Sequence, residues 1–148
     1  MRDPEDLRPD PETLLRIAQR QERASSRGRL RVYLGAAPGV GKTYAMLQEG
    51  QRRRKRGTDV VVGFVETHSR PLTAEALEGL EVVPRKSIVY QGVTLEEMDP
   101  ERVIARRPQV VLVDELAHTN APGSKHEKRW EDVEDIMEAG ITVITTVN

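Results

Sequence analysis

Hydrophobic positions fall in short continuous runs separated by amphipathic or polar stretches. Leu30-Arg31-Val32-Tyr33-Leu34, Val60-Val61-Val62-Gly63-Phe64-Val65, Val110-Val111-Leu112-Val113 and the run from Ile141 to Val147 are mostly apolar, and most are rich in β-branched residues. Such runs predict strands buried on both faces of a parallel sheet. Ser87 to Tyr90, closed by Gly92, is a weaker strand candidate. Helical patterns lie between the runs. One extends from Gly41 or Lys42 to about Arg56 and stops at Gly57. Pro71 opens a second, with Leu72, Ala76 and Leu80 on one face. Trp130, Val133, Ile136 and Met137 form the stripe of another, whose outer face is acidic and which Gly140 ends. Thr94 and Glu97 have capping-box spacing, but Pro100 follows. Either a single turn there precedes a helix capped by Asp99, or one helix is kinked; Pro108 ends it.

Strands alternating with helices over short connections predict an α/β fold, a three-layer P-loop NTPase-like domain with a mostly parallel sheet of about five strands. Residues 1–28 stand apart as a helical lead-in. Asp10-Pro11 is a cap followed by a first-turn proline, and Leu14, Leu15, Ile17 and Ala18 give a short apolar face. A helix docked by a turn or two, then a loose polar approach, is expected before a domain spanning 29–148. The last strand ends at Asn148 with nothing beyond to cover the sheet, so truncation at that end is expected.

The stretch Gly35-Ala36-Ala37-Pro38-Gly39-Val40-Gly41-Lys42-Thr43 links the first strand to a helix. Small residues there let backbone N–H groups turn inward around phosphate oxygens, and the helix dipole adds positive potential. Ala36, Ala37, Pro38, Gly39, Val40 and Gly41 are the expected cradle, Lys42 the contact to β- and γ-phosphates, and Thr43 a Mg²⁺ ligand. The strict pattern has Gly where Ala36 stands, so the match is to the relaxed form. An apolar strand ending in Asp114 supplies the second half of such a site, a carboxylate for the magnesium shell. Glu115, next to it, and Glu66, at a neighbouring strand tip, are alternative general bases for an attacking water. Asn148 is a candidate γ-phosphate contact at the last strand tip. His118, Thr119, Asn120, Lys125 and Arg129 follow Asp114; they form either a γ-phosphate-sensing loop, with Lys125 or Arg129 reaching a neighbouring subunit, or a solvated basic segment. ATP and Mg²⁺ are the ligands implied.

Composition narrows the alternatives. There is no cysteine, which excludes disulfides, thiolate zinc sites and thiol catalysis, and three scattered histidines form no metal-ligand pair. A formal charge of −1 draws the chain to neither nucleic acid nor anionic lipid. The basic run Arg52-Arg53-Arg54-Lys55-Arg56 is read as complementing a helix C-terminus. No apolar run approaches the roughly 20 residues of a membrane helix, and the acidic start lacks a signal-peptide layout, so a cytoplasmic location is expected.

With these motifs placed, the chain resembles the N-terminal cytoplasmic domain of the KdpD family of potassium-responsive sensor histidine kinases. The resemblance covers about residues 28–148. It rests on Gly35 to Thr43, Val65-Glu66-Thr67-His68, Leu77-Glu78-Gly79-Leu80, Asp114-Glu115-Leu116-Ala117-His118-Thr119-Asn120-Ala121-Pro122-Gly123-Ser124, Lys128-Arg129-Trp130, Ala139-Gly140 and Thr145-Thr146-Val147-Asn148. It implies an ATP-binding regulatory domain in a two-component system controlling potassium uptake, with Ala36 to Thr43 on phosphate and Asp114 as the acidic strand tip. The partners implied are downstream sensor-kinase modules, or a separate kinase or response regulator. The family's phosphoacceptor histidine and kinase core lie outside this sequence, and weak ATPase activity is all the chain itself suggests. Two other classes fit the strand-loop-helix. A stand-alone phosphotransferase would show substrate-dependent ADP release. A nucleic-acid-dependent ATPase has support only from the basic run, with few aromatics for stacking bases.

Overall fold

The computed structural model describes residues 10–35 and 41–148, so the expected phosphate cradle at Ala36, Ala37, Pro38, Gly39 and Val40 lies outside the described residues. Five strands form one parallel sheet in the order β1-β7-β6-β2-β3, where β1 is Leu30–Leu34, β2 Val60–Phe64, β3 Glu81–Val82, β6 Val110–Val113 and β7 Thr142–Val147. The central strands β2 and β6 are buried at every residue, as their unbroken apolar runs require.

Side-chain alternation along these strands divides the core in two. Val61, Val111, Val113 and Val143 face Val103 of α4 (Pro100–Arg106) and Val133, Ile136 and Met137 of α5 (Arg129–Glu138). Val60, Val62, Val110, Leu112 and Ile144 face Met46 and Leu47 of α2 (Lys42–Lys55), with Leu80 joining them. Helices therefore cover both faces, giving the three layers expected from the pattern.

Four local departures have physical causes. Val93–Glu97 is a strand, β5, rather than a helical turn. It pairs antiparallel with β4 (Lys86–Tyr90), and the two-residue connection Gln91-Gly92 has φ of 50° and 77°, the left-handed geometry that matches strand twist in a tight hairpin. Pairing with β4 outweighs the Thr94–Glu97 capping signal, and the helix starts afresh at Pro100 with the Asp99 carboxylate accepting from the Arg102 N–H at 3.1 Å. In α3 (Pro71–Leu77), Leu72 points to solvent while Thr73 is buried; Leu80 reaches the core from beyond the helix end. In α5 the stripe residues Val133, Ile136 and Met137 are buried as expected, but Trp130 is 45% exposed, while its neighbour Arg129 and Asp132 from the acidic face are buried. Finally, α1 runs unbroken over Pro11–Ser26, with the Asp10 carboxylate accepting from the Thr13 N–H, but Leu14, Leu15 and Ile17 are exposed rather than docked.

Candidate functional site

In a parallel sheet the carboxyl ends of all strands meet at one edge, where loops from different parts of the sequence converge. That edge gathers the start of α2, the residues after β2, Asp114 after β6, and the end of β7. Asp114 is its centre and is 2% exposed. The Thr43 hydroxyl lies 3.0 Å from each carboxylate oxygen, the Thr146 hydroxyl donates at 2.6 Å, and the Glu66 N–H donates at 3.2 Å. Thus α2, β2 and β7 all fasten to one carboxylate. Among the described residues no cationic side chain pairs with it, because Arg129 donates instead to the Asp114 backbone carbonyl, at 2.9 Å.

Lys42 is the complement. Its ammonium is buried with no hydrogen-bond partner among the described residues. The side chain folds back along β1's end so closely that a Cβ on Gly35 would stand 2.6 Å from Lys42 Cδ and 3.0 Å from Nζ. A larger residue there would require the lysine side chain to shift. An orphaned buried ammonium is costly unless an anion completes it. The hydroxyl of Thr43 and the carboxylate of Asp114 form an all-oxygen set of the kind a hard divalent cation takes.

A cleft of about 310 Å³ opens over these groups. Gly41, Lys42, Thr43, Asp114, Glu115 and Asn148 all line it, so the described members of the sequence-predicted set converge, with one exception. Glu66 contributes its backbone N–H to Asp114, but its carboxylate is held 3.0 Å from Arg85, which also donates to the Val65 carbonyl at 2.7 Å. Glu115 faces the cleft, with its N–H donating to the Thr146 hydroxyl at 3.0 Å. Tyr44, His68, Arg70, Thr73 and Thr146 complete the wall. Composition and spacing did not single these out. For Thr146 and His68 the available signal was a polar residue at, or just past, the end of an apolar strand.

The residues following Asp114 are engaged elsewhere. His118 Nε2 lies 3.0 Å from both oxygens of the buried Glu97, and Asn120 donates to the Asp132 carboxylate at 2.8 Å and to the His126 carbonyl at 3.0 Å. The Thr119 hydroxyl accepts from Lys128, and Lys125 approaches Asp135 at 3.5 Å. Arg129 is sealed inside: its guanidinium donates to Glu97 at 3.1 Å and stacks 3.9 Å above the Phe64 ring. Burial holds the Arg129 pKa below the usual arginine range, with Glu97 opposing that shift. A side chain so placed does not extend to a neighbouring subunit, and none of these five lines the cleft.

Among the described residues no helix is long and apolar enough to cross a membrane, and no cluster of three or more His, Cys, Asp or Glu side chains is positioned to hold a metal.

The family model described as "Osmosensitive K+ channel His kinase sensor domain", KdpD, matches residues 26–148. Among individual relatives, "Sensor protein KdpD" of Mycobacterium tuberculosis is 64% identical over 124 residues, 84% of this chain and 14% of that protein. "Sensor protein KdpD" of Escherichia coli K12 is 56% identical over 144 residues, 97% of this chain and 16% of that protein. The protein of the same name from Clostridium acetobutylicum is 45% identical over 141 residues, 95% of this chain and 16% of the relative. The chain therefore spans about one-seventh to one-sixth of the length of these three relatives. With a family match across nearly all of the described domain and these identities, the chain belongs to the KdpD sensor-domain family.

Proposed function

We propose that this chain is an ATP-binding regulatory domain of a KdpD-type two-component system. The observation that carries the reading is the bonded pair of Thr43 and Asp114 beside a buried, unpartnered Lys42 ammonium. Lys42 places a point charge for the β- and γ-phosphates, while Thr43 and Asp114 hold Mg²⁺ through oxygen. Gly41, the N-cap of α2, offers a backbone N–H to phosphate, as the residues of the sequence-expected cradle other than Pro38 would. Asn148 and Glu115 face the terminal phosphate, Glu115 as the base that orients water in slow hydrolysis. Magnesium, when bound with the nucleotide, neutralises phosphate charge. Glu66 is the poorer base, because its carboxylate is paired with Arg85. The consequence of binding is relayed to sensor-kinase modules and, through them, a response regulator in control of potassium uptake.

Calorimetric titration with Mg²⁺–ATP tests this. The wild-type chain is expected to bind saturably, and a Lys42→Ala variant with an unchanged circular dichroism spectrum is expected to lose that binding. A folded wild-type chain that takes up no nucleotide would sink the proposal.

A further inference from the structure

Among the described residues five non-glycine positions have positive φ: His68, Ser69, Gln91, Arg107 and Glu115. Two have ordinary explanations, since Gln91 is in the hairpin turn and Arg107 ends α4 in the left-handed conformation. The other three lie in two loops that face each other across the cleft. His68 and Ser69, at φ of 47° and 58°, are consecutive; left-handed backbone is disfavoured for side chains with a Cβ and is usually met one residue at a time. Glu115 stands opposite at φ of 58°. Strain held at a site wall is a pointer to what that wall does.

The left-handed loop carries His68 at the cleft. The loop is closed by the Arg70 N–H donating to the Thr67 carbonyl at 2.9 Å, and α3 begins directly behind it. The imidazole thereby lines the same cleft as Lys42. Its Nε2 is 3.9 Å from Glu115 Oε1, too far for a hydrogen bond, and the ring makes none with any described residue. The side chain is 61% exposed. By contrast, the side chains of His118, Asn120 and Lys125, in the loop where the sequence suggested a phosphate sensor, are committed to Glu97, Asp132 and Asp135. Glu115 presents only acceptor oxygens when ionised and repels a third phosphate, so a donor beside it is what a triphosphate requires.

We infer that His68 adds to this site a donor that favours a nucleoside triphosphate over a diphosphate, its imidazole N–H donating to the terminal phosphoryl group beside Lys42. The inference rests on the nucleotide-binding reading above. A hydrogen bond to a charged group corresponds to roughly a 10- to 100-fold change in affinity.

The test compares Mg²⁺–ATP and Mg²⁺–ADP affinities by calorimetry for the wild-type chain, His68→Asn and His68→Gln. Asparagine tolerates left-handed backbone, so His68→Asn keeps the loop but shortens its reach. It is expected to weaken ATP binding at least tenfold while leaving ADP within twofold, and His68→Gln, whose amide reaches further, is expected to recover part of the loss. Equal loss for both nucleotides, or no loss, assigns His68 a merely structural place in the loop and overturns the inference while the nucleotide site stands. A wild-type chain that binds neither nucleotide removes both readings.

Discussion

His126 shows how a single side chain turns local charge into pH dependence. Its Nε2 is 2.8 Å from the Asp135 carboxylate, and that hydrogen bond, with the nearby Asp132 and Glu131, raises the imidazole pKa above the ordinary 6.5. The same contact holds Asp135 below the usual carboxylate range, so the acid stays ionised while the histidine titrates. A raised folded pKa stabilises the fold fully below 6.5, and the contribution is lost as pH rises through the folded value. The melting-temperature difference between wild type and His126→Gln should therefore be largest near pH 5.5 and shrink by pH 9. A difference independent of pH would mean that the pair carries no charge-dependent stability. Glu49 illustrates the opposite balance. Burial on its own pushes its pKa up, but a hydrogen bond from Tyr33 and the cations Arg31 and Arg53 outweigh that and hold it below the usual range. This buried acid ties the edge strand β1 to α2, with Arg31 at 2.7 Å and Arg53 at 2.9 Å.

At the level of elements, the contact between α2 and the sheet is set by a residue that helix propensity disfavours. Gly50 is buried in α2, and a Cβ there would lie 2.6 Å from Leu112 Cδ1. Leu112 is itself fully buried in β6, so turning aside would press it on neighbours in a close-packed interior. Alanine is the better helix former by about 1 kcal/mol, yet overpacking a core costs about 1–3 kcal/mol. Gly50→Ala should thus be net destabilising in urea denaturation. A stabilised variant would show that Leu112 repacks freely. The hairpin of β4 and β5 makes the same point about local signals. The Thr94-to-Glu97 spacing suits a capping box, but Val93, Thr94 and Leu95 find strand partners in Lys86–Tyr90, and the pairing decides.

On the scale of the whole molecule, Arg129 joins parts that are remote in sequence. It sits at the start of α5, donates to the carbonyl of Asp114 beyond β6, pairs with Glu97 at the end of β5, and stacks on Phe64 of β2. Glu97 also accepts from the Ala121 N–H at 3.0 Å and meets His118. Arg129→Ala would leave Glu97 buried without its guanidinium partner, a change of about 3–5 kcal/mol. The double variant Arg129→Met, Glu97→Gln removes both charges and should recover much of that loss. A double variant no more stable than Arg129→Ala would place the cost in packing against Phe64 rather than in the unpaired acid. Chemical denaturation of the three proteins measures the difference.

The order of strands and helices was largely legible from the chain because the core strands are unbroken apolar runs, the pattern a doubly covered sheet imposes. The convergence of Lys42, Thr43, Asp114, Glu115 and Asn148 followed from the same reading, since parallel strands carry their carboxyl ends to one edge. Other features depended on partners distant in sequence. The strand character of Val93–Glu97 depended on β4, and the exposure of Leu72 on which face of α3 meets α2. Arg129 and Lys125 are both cations in one polar stretch, and nothing local separates them. Only the positions of Glu97 and Phe64 place the first inside the protein and leave the second at the surface. Similarly, Glu66 and Glu115 are both acids just past an apolar strand. The packing of Arg85 against Phe64 and Val65 diverts the first, and the left-handed turn at Glu115 leaves the second facing the cleft. Periodicity records which residues are buried in an element; which buried or surface charge meets which partner is decided when the elements pack.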